Sequence, residues 1–236
     1  MIVRLHRFLS MIRKFLKHCF CPTRPLGIRV KSCSAVPELP DPFNYTSGRW
    51  LHRDKEQLEA RRLRFDFAGL CAKVVSLCDG AERVLSYEKK EGGFNRVFIF
   101  HLDNGQQMVA RLPFKVTIAR DLVVQSEVAV MRYVASHTTV PVPKVLEWSS
   151  DEFNPVGTPY MIMEHVPGIQ LHTAWPTMST HQHMLVTKTL AKLMVEIARL
   201  KFPAYGSLCC ADANIDSTNK VDFGNGYISG PHCGPE

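Results

Sequence analysis

Acidic residues are missing from the first 37 positions, which hold eight cations (Arg4, Arg7, Arg13, Lys14, Lys17, Arg24, Arg29 and Lys31) in a chain of 236 residues carrying net charge +7. The other 199 positions hold 21 basic against 22 acidic residues, so the basic excess belongs to the leader. It gives no ground for nucleic-acid binding by the body. No run of about 18 apolar residues occurs, which excludes a membrane-spanning helix. The eight cysteines include no Cys-x-x-Cys pair and no repeated spacing, against a zinc module or a disulfide framework. Vicinal Cys209-Cys210, with His232 and Cys233, is the nearest approach to a ligand set. It lacks zinc spacing and reads as buried or idle thiols, which suits a reducing compartment.

Within the leader, Leu5, Phe8, Leu9, Ile12, Phe15 and Leu16 recur at helical intervals and span an arc of roughly 120°, with the cations outside it. An amphipathic, Arg-rich, acid-free helix is the pattern of a mitochondrial import presequence. The other reading is a basic helix lying on an anionic membrane surface. Import is favoured because the acid-free stretch continues well past the helix. Residues 1–37 are therefore expected to address the chain to the mitochondrion, in the matrix, with the import machinery as a partner.

Residues 31–48 are rich in Pro, Ser and polar side chains and read as a linker. Apolar spacing through Leu58, Leu63, Phe67, Leu70, Val74 and Val75 predicts one or two helices before Asp79-Gly80. Strand-like runs follow at 83–87, 96–101 and 107–112, the last two joined through Asp103-Asn104-Gly105, a hairpin turn signal. A helix is predicted over 122–136, strands at 145–148 and 160–163, and a helix over 179–200 with Val186, Leu190, Leu193, Met194 and Ile197 on one face. After Pro203 the sequence reads as Gly-rich and irregular. This order predicts an α+β fold: a protein-kinase-like N-lobe of antiparallel sheet plus C-helix, with N-terminal helices before it and the beginning of a helical C-lobe after it. The expected divisions are 1–37 leader, 38–82 helical extension, 83–168 N-lobe and 169–236 start of the C-lobe.

Nucleotide chemistry is suggested at three places. Gly92-Gly93, followed by Asn95, opens a turn between the first two strands where backbone amides approach phosphate without a Cβ in the way; most such turns are plain hairpins. On the third strand Arg111 occupies the position at which a kinase-like lobe carries its phosphate-pairing Lys. A solvent-facing strand-end Arg is the bland reading. Glu127 shares an apolar helical stripe with Val123, Val130, Met131 and Val134, where a carboxylate is costly unless paired; Arg111 is the partner expected for it. Backbone groups from Glu164 to Val166 lie where a strand leaves the sheet and an adenine edge would bond.

Phe43-Asn44-Tyr45-Thr46-Ser47-Gly48-Arg49-Trp50, Gly92 to Phe98, Val109-Ala110-Arg111-Leu112-Pro113, Ser126-Glu127-Val128-Ala129, Val140 to Val145, Asn154-Pro155-Val156-Gly157 and Ile162 to Gly168 together resemble one family. It is the fungal altered-inheritance-of-mitochondria protein 9 family, of the aminoglycoside phosphotransferase/choline kinase-like fold. The resemblance covers about residues 42–210 and implies a mitochondrial protein using ATP with Mg²⁺, its reaction unestablished. Phosphoryl transfer in this fold needs a catalytic Asp, an Asn shortly after it and a metal-binding Asp. His52-Arg53-Asp54 spells the first motif but precedes the Gly turn and has Glu59 where Asn is required. Asp222-Phe223-Gly224 spells the last with no catalytic loop before it. Both read as coincidence, so no catalytic or metal-binding residue is assigned. The chain is expected to be cut short before the C-lobe and non-catalytic by itself, or else a fragment of an active ATP-dependent phosphotransferase of small molecules or proteins.

Overall fold

The computed structural model describes residues 39–117, 119–213, 220–222 and 224–233. The leader helix and its import role lie outside the described residues. The chain divides into two compact units, one of residues 39–137, 141–165 and those from 202 onward, the other of residues 138–140 and 166–201.

The first unit is built on five antiparallel strands, β1 (Val84–Glu91), β2 (Asn95–Leu102), β3 (Gln107–Pro113), β4 (Val145–Ser149) and β5 (Tyr160–Glu164), in the order β1-β2-β3-β5-β4. Gly105 at φ 81° supplies the positive φ that the β2–β3 hairpin requires. Alternation along β2 sends Arg96, Phe98, Phe100 and Leu102 to one face, all of them buried. Phe65, Phe67 and Tyr87 gather around Phe98, with ring centroids 5.5–6.1 Å away. Each such ring contributes roughly 1.5–3 kcal/mol by leaving water.

That face is roofed by the segment before β1. Helix α1 (Asp54–Ala60) comes first; α2 (Phe67–Ser76) follows, its start fixed by Asp66, whose carboxylate accepts the Gly69 amide at 2.9 Å. Leu70 and Val74 of α2 are fully buried against the sheet. Helix α3 (Arg120–His137) packs at β4 and β5. The Asn154-Pro155-Val156-Gly157 loop is also tied to the roof: the Val156 carbonyl accepts the Asp66 amide at 2.8 Å, and Gly157 sits at φ 77°.

Two regions differ from the sequence reading. Residues 41–47 have no regular structure, yet they are no free linker, because their backbone carbonyls and amides bind the charged end of the sheet. The stretch after Pro203 is not irregular: β6 (Ser207–Cys210), β7 (Val221–Asp222) and β8 (Tyr227–Gly230) form a small sheet in the order β6-β8-β7. It packs on α3 through Tyr133 and Tyr227, centroids 5.0 Å apart. Strands of two to four residues are too short to show periodicity. Gly206 is obligatory there, since a Cβ would fall 2.2 Å from the Gly230 carbonyl.

The residues before β1 are held by a buried charge cluster. Arg96 and Glu91 are both 0% exposed at their side chains and face each other at the turn end of the β1–β2 hairpin, at 2.6 and 2.8 Å. Glu91 also accepts the Thr46 amide at 2.7 Å and the Ser47 hydroxyl at 3.1 Å. Arg96 spends its remaining donors on the carbonyls of Pro42, Phe43 and Arg61. Lys89 donates to the carbonyls of Asp41 and Asn44. Burial works to raise the Glu91 carboxyl, but the Thr46 amide and the Arg96 guanidinium outweigh it and hold the pKa below its ordinary 4.5.

The second unit contains α4 (Leu171–Ala174), a 3-10 turn (Trp175–Thr177) and α5 (Thr180–Ala198). Ser179 and Gln182 close a capping box at the start of α5. Glu196 anchors its far end by accepting the Thr139 amide at 2.7 Å and the Thr139 hydroxyl at 2.8 Å. Of the predicted inward face, Ile197 is buried while Val186, Leu190, Leu193 and Met194 are half-buried.

Removing either member of the buried pair leaves its partner charged and unmatched, so Arg96→Met is expected to cost about 3–5 kcal/mol in urea unfolding. A carboxyl whose folded pKa is depressed contributes stability that is present above its unfolded pKa and lost as pH falls through its folded pKa. Stability should therefore fall below about pH 4.5, and the Glu91→Gln variant, weaker at neutral pH, should lose less over the same acid range.

Candidate functional site

The two faces of the central sheet have different tasks. Arg111 is paired with Val97 across the β2–β3 ladder, and Arg96 with Leu112. Side chains alternate across a strand, so Arg111 projects from the face opposite the buried Arg96. Val97, Val109, Met161 and Met163 share that second face with it. Val97 and Val109 are half-buried, a small apolar floor beside a cation.

The expected Arg111–Glu127 pair is present. Arg111 Nη2 stands 2.6 Å from Glu127 Oε1, with the two side chains 25% and 20% exposed. Glu127 is presented by a helix whose Val124, Val128 and Met131 are buried. A carboxylate rising from that apolar stripe has its charge matched by the sheet, and in turn it fixes the guanidinium at the strand. The other donors of Arg111 carry no partner among the described residues.

Gly92 and Gly93 lie in the exposed turn between β1 and β2. The Gly92 amide bonds the Asn95 carbonyl at 2.9 Å, closing the turn. Neither glycine adopts a positive φ, and a Cβ on Gly93 would meet nothing within 4 Å. Nothing in the described fold therefore demands glycine at position 93. The amides of Gly93 and Phe94 have no acceptor among the described residues, while the Phe94 carbonyl takes the Phe114 amide at 2.8 Å. The result is a pinned turn with two free donors.

Of the residues expected at an adenine edge, Glu164 ends β5. The Glu164 amide is already given to the Lys144 carbonyl at 3.1 Å, and the Glu164 carboxylate accepts the Lys144 amide at 2.9 Å. Val166 belongs to the other unit, the one that holds α4 and α5. Asn95 begins β2, opposite Pro113.

The two motif look-alikes have structural tasks. Asp54 accepts the Arg49 guanidinium at 2.6 Å and the Trp50 amide at 2.8 Å at the start of α1. Asp222 accepts the Gly224 amide at 2.9 Å. Burial pushes the Cys209 thiol up to about 12 and the Cys71 thiol up to about 11, so neither is a ready nucleophile or ligand. Among the described residues no three His, Cys, Asp or Glu side chains converge.

An antiparallel five-stranded sheet with a glycine turn at β1–β2, a β3 cation and a helix-borne glutamate paired to it defines a kinase-like phosphotransferase lobe. Residues 90–209 match the model of the phosphotransferase enzyme family, and the chain belongs to that family. Among curated proteins it is 33% identical to a subtelomeric hrmA-associated cluster protein of Aspergillus fumigatus, over 60% of this chain and 28% of that protein. It is similar to proteins named altered inheritance of mitochondria protein 9, mitochondrial: 26% identical to that of Candida tropicalis and 27% to that of Yarrowia lipolytica. Each of these alignments covers 70% of this chain and 33% or 32% of the relative. The chain thus spans about a third of the length of the curated relatives it matches. A solved candidate aminoglycoside phosphotransferase from Ralstonia eutropha is 30% identical over 44% of this chain and 29% of its own, with a TM-score of 0.35.

Sequence reasoning missed Arg61, Glu91 and Arg96, the residues that hold the turn. The last two had a signal: opposite charges bracketing a Gly-Gly turn face each other when the hairpin closes. Arg61 had none. A double-mutant cycle on Arg111→Ala and Glu127→Ala is expected to return a coupling of about 0.5–1 kcal/mol in denaturant unfolding, the range for a partly exposed pair.

Proposed function

We propose that these residues form the nucleotide-holding lobe of a mitochondrial phosphotransferase-like protein, with ATP as the ligand, and that they do not transfer phosphate by themselves. The observation carrying this reading is the Arg111–Glu127 pair at 2.6 Å, set on the sheet face with the apolar floor, in a lobe whose turn leaves two backbone donors free. The fit to a triphosphate is chemical: amides without acceptors, a cation without competing acceptors beyond Glu127, and no Cβ at Gly93. Val97 and Val109 supply a surface for a purine ring. When bound, ATP supplies the phosphoryl group. What this chain's own residues contribute is grip and orientation. Mg²⁺ would enter on the phosphates, since this lobe builds no cluster of its own among the described residues.

Location in the mitochondrion is supported by the acid-free leader and by the names of the relatives; an import presequence would deliver the chain to the matrix. No helix among the described residues is long and apolar enough to cross a membrane. A second reading is favoured by the length of those relatives: phosphoryl transfer to a small-molecule or protein hydroxyl belongs to a longer polypeptide that includes these residues.

Saturating MgATP should raise the melting temperature of the purified chain by several degrees, as about 2.7 kcal/mol of linkage at a hundredfold excess over Kd requires. Gly93→Ala should melt at or slightly above the wild-type temperature without ligand, yet lose most of the MgATP shift. A wild-type melting curve indifferent to MgATP would defeat the proposal, and phosphoryl transfer by the 236-residue chain alone would defeat its non-catalytic part.

A further inference from the structure

Arg61 is a cation 7% exposed at the end of α1, outside the nucleotide-facing side of the sheet. Its guanidinium carbon lies 4.4 Å from the centre of the Trp50 ring. Nη1 donates to the Gln57 side chain at 2.6 Å and to the Gln57 carbonyl at 3.1 Å. Nε donates to the Gly93 carbonyl at 3.3 Å. The carbonyl of Arg61 itself accepts from Arg96, the buried residue closing the base of the same turn. Two arginines thus grip the six-residue stretch from Glu91 to Arg96, one at its base and one near its tip.

The orientation of one peptide follows. A trans peptide points its C=O and N–H in opposite directions, and no peptide in the described structure is cis. Arg61 draws the Gly93 carbonyl toward the roof that Arg96 also faces. The N–H of Phe94, on the other end of the same peptide plane, is thereby turned away from the roof. That amide has no acceptor among the described residues. A glycine turn is free to flip this peptide, and a flipped peptide would present its carbonyl to an incoming anion.

We propose that Arg61 is a positioning residue for the nucleotide turn: the roof helix α1, through Arg61 on its Trp50 and Gln57 seat, holds the Gly93–Phe94 peptide in the orientation that offers its N–H to a phosphate. This rests on the nucleotide reading above and adds to it a residue outside the binding face that governs phosphate affinity. It accounts for the approach of a distant roof segment to a turn that needs no such support to close.

The test compares wild type with Arg61→Ala and Arg61→Lys. Lysine keeps a cation over the Trp50 ring and one donor for the Gly93 carbonyl but loses the fork to Gln57. MgATP affinity is measured by calorimetry, and backbone order parameters of Gly93 and Phe94 by ¹⁵N relaxation without nucleotide. Arg61→Ala should weaken MgATP by about tenfold, a charge-assisted bond's worth, and lower both order parameters from about 0.85 toward 0.6. Arg61→Lys should recover part of each, which a purely structural role would not predict at matched melting temperature. Unchanged order parameters in Arg61→Ala would overturn the proposal, as would wild-type affinity in both variants. If Arg61→Ala does not fold, Trp50→Leu, which removes the seat and keeps the guanidinium, is read by the same two measurements. Failure of the wild type to bind MgATP would sink the nucleotide reading alone, the order parameters still deciding whether Arg61 holds the turn.

Discussion

A guanidinium with no exposed surface constrains this lobe more than any other group. Arg96 has five N–H donors and no water, and its desolvation is tolerable only if every donor finds an oxygen. Glu91 supplies the charge, and the carbonyls of Pro42, Phe43 and Arg61 supply the remainder. None of those carbonyls belongs to the sheet. The sheet therefore cannot keep its charged end buried without the segment before it, and residues 41–47 of that segment have no ladder or helix of their own to order them without the sheet. Each is the other's condition of folding. The aromatic core from Phe65 to Phe100 follows, since it fills the space that opens once the roof is fastened.

The strand period of two then gives the sheet two different faces. Arg96, Phe98 and Phe100 turn toward the roof, and Val97, Val109 and Arg111 away from it. A slip of one residue would exchange the sets, putting phenylalanines in water and a free guanidinium under the roof. The cross-strand pairing of Glu91 with Arg96 resists that slip, because only this register sets the two charges opposite each other. The interaction that stabilises the lobe is thus also the one that decides which side chains a ligand would meet.

How far the sequence revealed this depended on where each function was carried. The five strands were legible because strand-like apolar runs and the Asn-Gly turn are properties of side chains. The Arg111–Glu127 pair was legible because a carboxylate on an apolar stripe must have a partner, and the strand offered one. The bond between Thr139 and Glu196 was not, and neither was the role of residues 41–47, where the groups engaged are mostly backbone carbonyls that any residue possesses. The small β6–β8 sheet escaped because four residues cannot display a period. Asp54 illustrates the opposite error: its tripeptide imitates a catalytic loop, whereas its carboxylate is occupied in ordering Arg49 and Trp50. Trp50 is in turn the ring beneath Arg61, so the look-alike motif belongs to the roof.

The arginine on β3 is the plainest departure from the kinase pattern, and its geometry shows why it need not be a loss. A lysine offers three donors from one nitrogen, so a carboxylate and a phosphate must crowd around a single point. Arginine spreads five donors over three nitrogens in a plane. In this lobe Nη2 alone meets Glu127, leaving Nε and Nη1 on other edges of the same rigid group. The helix can hold the cation while a second anion approaches from a different side, at the cost of a longer reach and a fixed plane. An anion gripped this way would be oriented by the guanidinium plane as well as attracted by its charge. In the proposed site the requirement for a defined approach then falls on the glycine turn, which is where the roof places its second buried arginine.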